Sequence, residues 1–323
     1  MSNPNFPQNL HIRPSVPLGV GSGSDIFDFV HQEEAIRIFG IAGKVWKAAY
    51  ALNTYIKPPA DHLFDPPFLS DAARDNATII IELGSGSGIV AATLAPSLHA
   101  GDVMFVTDLP QVCPLLERNL QPHLDRNGGP ILVRPLAWGD SKHSLNIAEE
   151  LKNLPATRDT LHLTHVLCSD LVYFPELLAP LLRSLIQLSS PPFVSAATDV
   201  QIVISYKIRS LAKESPFWSV FGLWFEFAPV LVRKVGLGEN PPWQRFGSSL
   251  EDPTFVFVAR RRRESHGWKM PPNDNDLMHG VMAQGTLSPK GDDTFETLLL
   301  MSLDESAGFD GMRENHSLFV TSQ

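Results

Sequence analysis

The chain has 323 residues, 43% hydrophobic and 19% charged, enough to bury a large core as one big domain or two small ones. No apolar run approaches the ~18 residues that a membrane-spanning helix needs, and the opening Met1-Ser2-Asn3-Pro4-Asn5 lacks the basic and apolar regions of a secretory signal. The net charge of −9 is uneven: residues 264–323 hold ten acidic and three basic side chains, which leaves only −2 on the other 263 and argues against general nucleic-acid binding.

Residues 1–20 are rich in proline and asparagine and read as a flexible N-terminus. Residues 21–56 read as an ordered extension that ends in a helix over 43–52. From residue 77 strand-like and helix-like segments alternate, the pattern of an α/β fold on a parallel sheet. Strands are expected at 77–81, 103–107, 131–134, 163–168, 200–206, 229–235 and 254–259. Helices are expected at 89–95, 112–120, 175–188 and around 210–225. Residues 21–263 form the expected body, and 264–323 an acidic C-terminal tail with one apolar island at 297–303.

The first of these strands, Ala77-Thr78-Ile79-Ile80-Ile81, runs into Glu82-Leu83-Gly84-Ser85-Gly86-Ser87-Gly88, and a helix-forming stretch closed by Pro96 follows. A strand, a glycine turn and a helix let a ligand approach bare backbone beside a helix N-terminus. The dinucleotide spacing G-x-G-x-x-G/A is met in degenerate form by Gly86, Gly88 and Ala91, so spacing leaves NAD open. Glu82 tilts the balance, because a carboxylate is a poor neighbour for pyrophosphate and a good one for a ligand bearing an ammonium and a sulfonium. The E-L-G-x-G-x-G form resembles motif I of the class I S-adenosylmethionine-dependent methyltransferases.

Three later positions fall just after strands, where open α/β sheets form their ligand crevice. Asp108, after the second strand, can accept hydrogen bonds from a ribose diol or cap the next helix. Trp138, in Leu136-Ala137-Trp138-Gly139-Asp140, can cover an adenine face or pack in the core. Asp170 and Tyr173, in Ser169-Asp170-Leu171-Val172-Tyr173, are placed to face a transferring methyl group, or else to cap a helix and pack.

Taken in order, Gly43-Lys44-Val45-Trp46, the motif I loop, Thr107-Asp108-Leu109-Pro110, Pro135-Leu136-Ala137-Trp138-Gly139 and Ser169-Asp170-Leu171-Val172-Tyr173 resemble the seven-β-strand protein-lysine methyltransferases of lysine methyltransferase family 16. The resemblance covers roughly residues 25–262 and includes the D-x-x-Y motif of that group. It implies a Rossmann-like seven-stranded sheet with helices on both faces and an antiparallel hairpin last. It implies S-adenosyl-L-methionine as cofactor, held by Trp46, Glu82, Gly84, Ser85, Gly86, Gly88, Asp108, Leu109, Trp138 and Ser169. Asp170 and Tyr173 would position the substrate lysine, with Asp170 orienting the ammonium and receiving its proton. Lys47 departs from the proline or aspartate many members carry there, and the acidic tail is not a shared feature.

The implied substrate is a protein, such as a translation elongation factor or a chaperone, and the enzyme is expected to be a monomer that binds no specific nucleic acid and no membrane. A small-molecule N-methyltransferase acting on a nicotinamide-like acceptor and a non-catalytic module that keeps the fold are the alternatives. Cys113 and Cys168 give no disulfide framework, so a reducing compartment is expected, cytoplasm or else nucleus. Both thiols are expected to be buried. Eleven histidines lack metal spacing, and no metal is expected. Arg260-Arg261-Arg262-Arg263 reads as a solvated strand end, with a nuclear signal, a docking patch or a hold on the acidic tail as alternatives. The aromatic run 217–225 reads mainly as core, with a small exposed part available to a protein partner.

Overall fold

The computed structural model describes residues 11–15, 26–69, 77–124, 130–154, 162–195, 199–236, 241–247, 254–285 and 287–301. Residues 302–323 of the expected tail, and most of the stretch expected to be flexible at the N-terminus, lie outside them. Ser15, inside that stretch, exchanges hydrogen bonds with the buried Gln32: its N–H donates to Oε1 at 3.1 Å and its carbonyl accepts from Nε2 at 2.8 Å.

The chain opens with helix α1 (Phe29–Phe39), whose N-cap Asp28 accepts from the His31 N–H. Helix α2 (Lys47–Ile56) follows a tight turn at Gly40–Gly43. Its face Ala48, Ala49, Leu52 and Tyr55 is buried. The expected helix over 43–52 is therefore shifted, with Trp46 standing just before the helix as its N-cap. Strand β1 (His62–Asp65) comes next.

The alternation from residue 77 appears as strand β2 (Ile79–Leu83), helix α3 (Ile89–Leu94), strand β3 (Val103–Asp108), helix α4 (Cys113–Leu124), strand β4 (Ile131–Pro135), helix α5 (Ser141–Asn153), strand β5 (His165–Ser169), helix α6 (Pro175–Leu188), strand β6 (Gln201–Lys207) and helix α7 (Leu211–Trp224). Strands β7 (Phe225–Pro229), β8 (Leu231–Lys234), β9 (Gln244–Arg245) and β10 (Thr254–Arg261) complete the sheets. One sheet has seven strands in the order β4-β3-β2-β5-β6-β10-β7. Its first five are parallel, and β10 runs antiparallel to both β6 and β7.

Successive residues of β2 face opposite layers: Ile79, Ile81 and Leu83 join the core under α5, α6 and α7, and Ile80 joins the core under α2, α3 and α4. All five residues of the strand are buried. Strand order reverses direction between β2 and β5, and open α/β sheets bind ligands in the crevice at such a point.

The edge strand beside β10 is not the expected strand at 229–235. It is β7, which follows α7 with no turn between them, while β8 leaves the sheet to pair with β1 and β9 in a small antiparallel sheet. The aromatic run is core throughout: Phe217, Trp218, Phe221, Trp224 and Phe225 are fully buried, and none of them is left for a partner.

The described part of the segment expected to be a tail packs on the body. Helices α8 (Asp274–Met278) and α9 (Thr294–Met301) lie on α6 and α7, with Leu277 and Phe295 fully buried and the Phe295 ring stacked 5.0 Å from Trp218. Arginines hold this segment: Arg183 pairs with Asp274 at 2.8 Å and Arg262 with Asp292 at 3.5 Å. Within the arginine run, Arg261 is buried against Ser265, Ser189 and the Ile186 carbonyl. Burial lowers its pKa to about 10. A solvated strand end describes only Arg263.

Candidate active site

The glycine loop leaves β2 in a conformation most side chains avoid: Gly84, Gly86 and Gly88 have φ of 56°, 55° and 83°. A Cβ on Gly84 would come within 2.9 Å of both Leu171 and Trp138, so the bare backbone is what lets the indole lie against the loop. Gly88 does different work. It stands before α3 and faces Leu116 and Leu120, away from the cavity described next.

A cavity of about 420 Å³ lies over the carboxyl ends of β2, β3 and β5, within the range of small-molecule sites. Trp46, Glu82, Gly84, Ser85, Gly86, Asp108, Leu109, Trp138, Ser169, Asp170 and Tyr173 all line it. Gly88 is the expected contact that does not. Among the further lining residues, four are charged and had been given no role from the sequence: Lys44, Arg209, Lys213 and Glu214.

Two carboxylates form the floor on the β2 and β3 side. Glu82 is 1% exposed, and its Oε2 has no hydrogen-bond partner. Burial, opposed by a hydrogen bond from Ser85 and reinforced by Asp108, pushes its pKa up to about 8. Asp108 caps no helix. Its Oδ2 accepts from the Gly86 N–H at 2.8 Å and its Oδ1 from the Leu109 N–H at 2.7 Å, which ties the glycine loop to the end of β3. Burial raises its pKa to about 6 despite those two bonds. The Ser169 hydroxyl is likewise buried without a partner. Orphaned acceptors beside left-handed glycines fit a cationic, hydroxyl-bearing ligand such as S-adenosylmethionine, which would supply the missing donors.

On the β5 side, the backbone of Asp170 is left-handed, with φ 64°, a conformation that aspartate tolerates better than most residues. Its N–H donates to the Ser205 carbonyl at 2.8 Å. Its side chain is fully buried and bound by Arg209, with Nη1 on Oδ1 at 2.8 Å and Nη2 on Oδ2. The Asp170 expected to orient the substrate ammonium thus already carries a paired guanidinium, a partner the sequence does not announce. Tyr173 packs edge-on against Trp138 at 6.3 Å and Phe174 at 4.7 Å. Burial drives the Tyr173 pKa upward, so its phenol stays neutral.

Trp46 closes the other side. Its Nε1 donates to the Ile41 carbonyl at 3.0 Å, and its ring carries two cations, Lys44 Nζ at 4.7 Å and the Arg209 guanidinium at 5.3 Å from the centroid. Burial first, then the charge of Arg209, lowers the Lys44 pKa. Behind Arg209, the buried Glu214 accepts from the Tyr206 hydroxyl at 2.5 Å and from the Arg209 N–H at 3.2 Å. No local motif marks Arg209; the one sequence signal is a cation following a strand end, where this fold places its ligands.

A family model described as lysine methyltransferase matches residues 28–221. The Saccharomyces cerevisiae protein-lysine N-methyltransferase EFM6 is 30% identical over 233 residues, 69% of this chain and 82% of that protein. Among solved structures, the mitomycin 7-O-methyltransferase MmcR aligns at 11% identity and a TM-score of 0.37 over 72% of this chain and 58% of that one. M. capricolum TrmK in complex with S-adenosyl-homocysteine aligns at 12% identity and a TM-score of 0.31 over 60% and 69%. Scores this low add nothing to the topology above. The matched span from 28 to 221 takes in every residue that lines the cavity. The chain belongs to the lysine methyltransferase family.

Proposed function

We propose that this protein transfers a methyl group from S-adenosylmethionine to a lysine side chain of another protein. One observation carries the reading. A single cavity joins the buried, cofactor-type carboxylates Glu82 and Asp108 to the D-x-x-Y pair Asp170 and Tyr173 in a chain of the lysine methyltransferase family. The name of the yeast relative supports a protein as the acceptor.

Bound there, the cofactor supplies an electrophilic methyl on a sulfonium. Glu82, Ser169 and Asp108 would hold its polar groups, and Trp138 would cover its base. The chain's remaining task is to present a neutral amine in line. A free lysine has a pKa of about 10.4, so the site must favour proton loss. Lys44 records what an amine meets here: burial and the Arg209 charge act against its ammonium form, and the Asp170 charge offsets them only in part. Asp170 serves by holding Arg209 in place rather than by taking the proton. Tyr173, a neutral phenol at the cavity wall, is positioned to accept one N–H of the amine and so aim its lone pair. Alignment and exclusion of water then supply most of the rate.

An abundant cytoplasmic protein such as a translation elongation factor or a chaperone is the acceptor class we propose. The free thiols Cys113 and Cys168 fit a reducing compartment. Incubating lysate with radiolabelled cofactor tests the reading: label in discrete protein bands supports it, and label confined to small molecules contradicts it.

A further inference from the structure

The charged groups of the cavity are sorted by depth. Glu82, Asp108, Asp170 and Glu214 are all buried, at 9% exposure or less. The cations on the same lining lie further out: Lys213 is exposed, Lys44 is half-buried, and the Arg209 side chain is 30% exposed. Lys47 and Lys207 add to the positive field at Lys44. The floor is acidic and the rim is basic, on a chain whose net charge is −9.

An acidic floor suits the cationic cofactor. A basic rim does not suit a bare lysine, which must pass these cations to reach the methyl group. We propose that the rim selects target lysines flanked by aspartate or glutamate, an inference that rests on the protein-lysine reading. Acidic neighbours pair with Lys44 and Lys213 and draw the segment in, while burial and the nearby cations disfavour the ammonium form of the target amine once inside. A lysine in a basic stretch is repelled, so the rim also excludes the wrong substrates. Glu176, at the start of α6, is an exposed carboxylate whose charge is felt at Tyr173.

The test uses the full chain and short synthetic peptides with one central lysine and acidic, neutral or basic flanks. Binding is read by fluorescence anisotropy and methyl transfer by mass spectrometry. The expected result is that the acidic-flanked peptide binds about tenfold or more tightly than the basic-flanked one at low salt, with the difference shrinking as salt screens the rim. Lys213→Glu and Lys44→Gln should each reduce that preference, with circular dichroism and thermal unfolding of each variant serving as the folding control. Equal binding of all three peptides, or a preference that ignores salt, overturns the proposal. Displacement of the acidic peptide by an equal concentration of single-stranded RNA also overturns it, since the rim would then be a nucleic-acid surface. The two readings fail separately: transfer to lysines regardless of flank removes the rim proposal alone, whereas charge-selective binding without transfer to any lysine leaves the rim and removes the lysine reading.

Discussion

Arg209 grips both oxygens of Asp170 across 39 positions of sequence, and the carboxylate it grips is completely buried. The pair joins the loop after β6 to the loop after β5, and the same guanidinium rests on Trp46 from the N-terminal extension. Three segments that wall the cavity therefore meet at one side chain.

Asp170→Asn keeps a residue that accepts left-handed backbone but removes the charge. Methyl transfer is expected to fall by about 100-fold, because the amine path loses its fixed wall. Stability is expected to fall by about 1–3 kcal/mol, discounted because Arg209 remains partly solvated. Cofactor affinity should change little, since Asp170 touches neither Glu82 nor Asp108. Calorimetry with S-adenosylhomocysteine beside a transfer assay checks the split. Equal losses in binding and transfer would show that the pair supports the cofactor site instead.

Glu82 and Asp108 predict a pH dependence. Their folded pKa values are raised to about 8 and about 6 from the ordinary 4.5 and 3.8, so the folded cofactor-free protein holds protons that the unfolded chain has released. Stability of that form should decline as pH rises from the unfolded values through the folded ones. A cationic ligand favours ionised Glu82, so cofactor binding should release a proton and tighten between pH 6 and about 8. Calorimetry in buffers of different ionisation heat counts that proton. Glu82→Gln should abolish the release, and unchanged proton release in this variant would refute the assignment.

The two ends of the glycine loop should respond differently. Gly84→Ala forces a Cβ against Trp138 and Leu171 and should weaken cofactor binding by about tenfold or more, together with a loss of stability from strain at positive φ. Gly88→Ala carries the same backbone strain, about 1–2 kcal/mol, but its Cβ meets Leu116 and Leu120 outside the cavity. Its cost should appear in denaturation and not in cofactor affinity.

Within the arginine run, Arg261→Ala should cost about 1–3 kcal/mol, since it leaves buried hydroxyl and carbonyl partners unmatched and takes the guanidinium from Trp224. Arg263→Ala should stay within ~0.5 kcal/mol of wild type. Urea titrations of the two variants separate a structural staple from a solvated end.

The parallel half of the sheet was legible because its strands are short apolar runs, most of them rich in β-branched residues. The glycine loop, Asp108, Trp138, Asp170 and Tyr173 were legible because this fold puts its ligand groups just after strands. The last hairpin was not. Phe225-Glu226-Phe227 continues the aromatic run of α7 without a turn residue, so helix and strand share one composition. Val230-Leu231-Val232 reads as a strand whichever sheet it joins, and its partner β1 lies far back in the chain. Arg209 was missed for a similar reason: its partner is fixed by strand order, which local pattern does not encode. The apolar island at 297–303 lacked a turn signal that would mark its helix as docked on α7.

The most direct test of the central claim is mass spectrometry of the protein bands labelled in lysate by wild type and by Asp170→Asn. Methyl groups on lysine in the wild-type sample, absent or strongly reduced with Asp170→Asn, are the predicted result. Label on another residue type, or lysine labelling that Asp170→Asn leaves at the wild-type level, would contradict it.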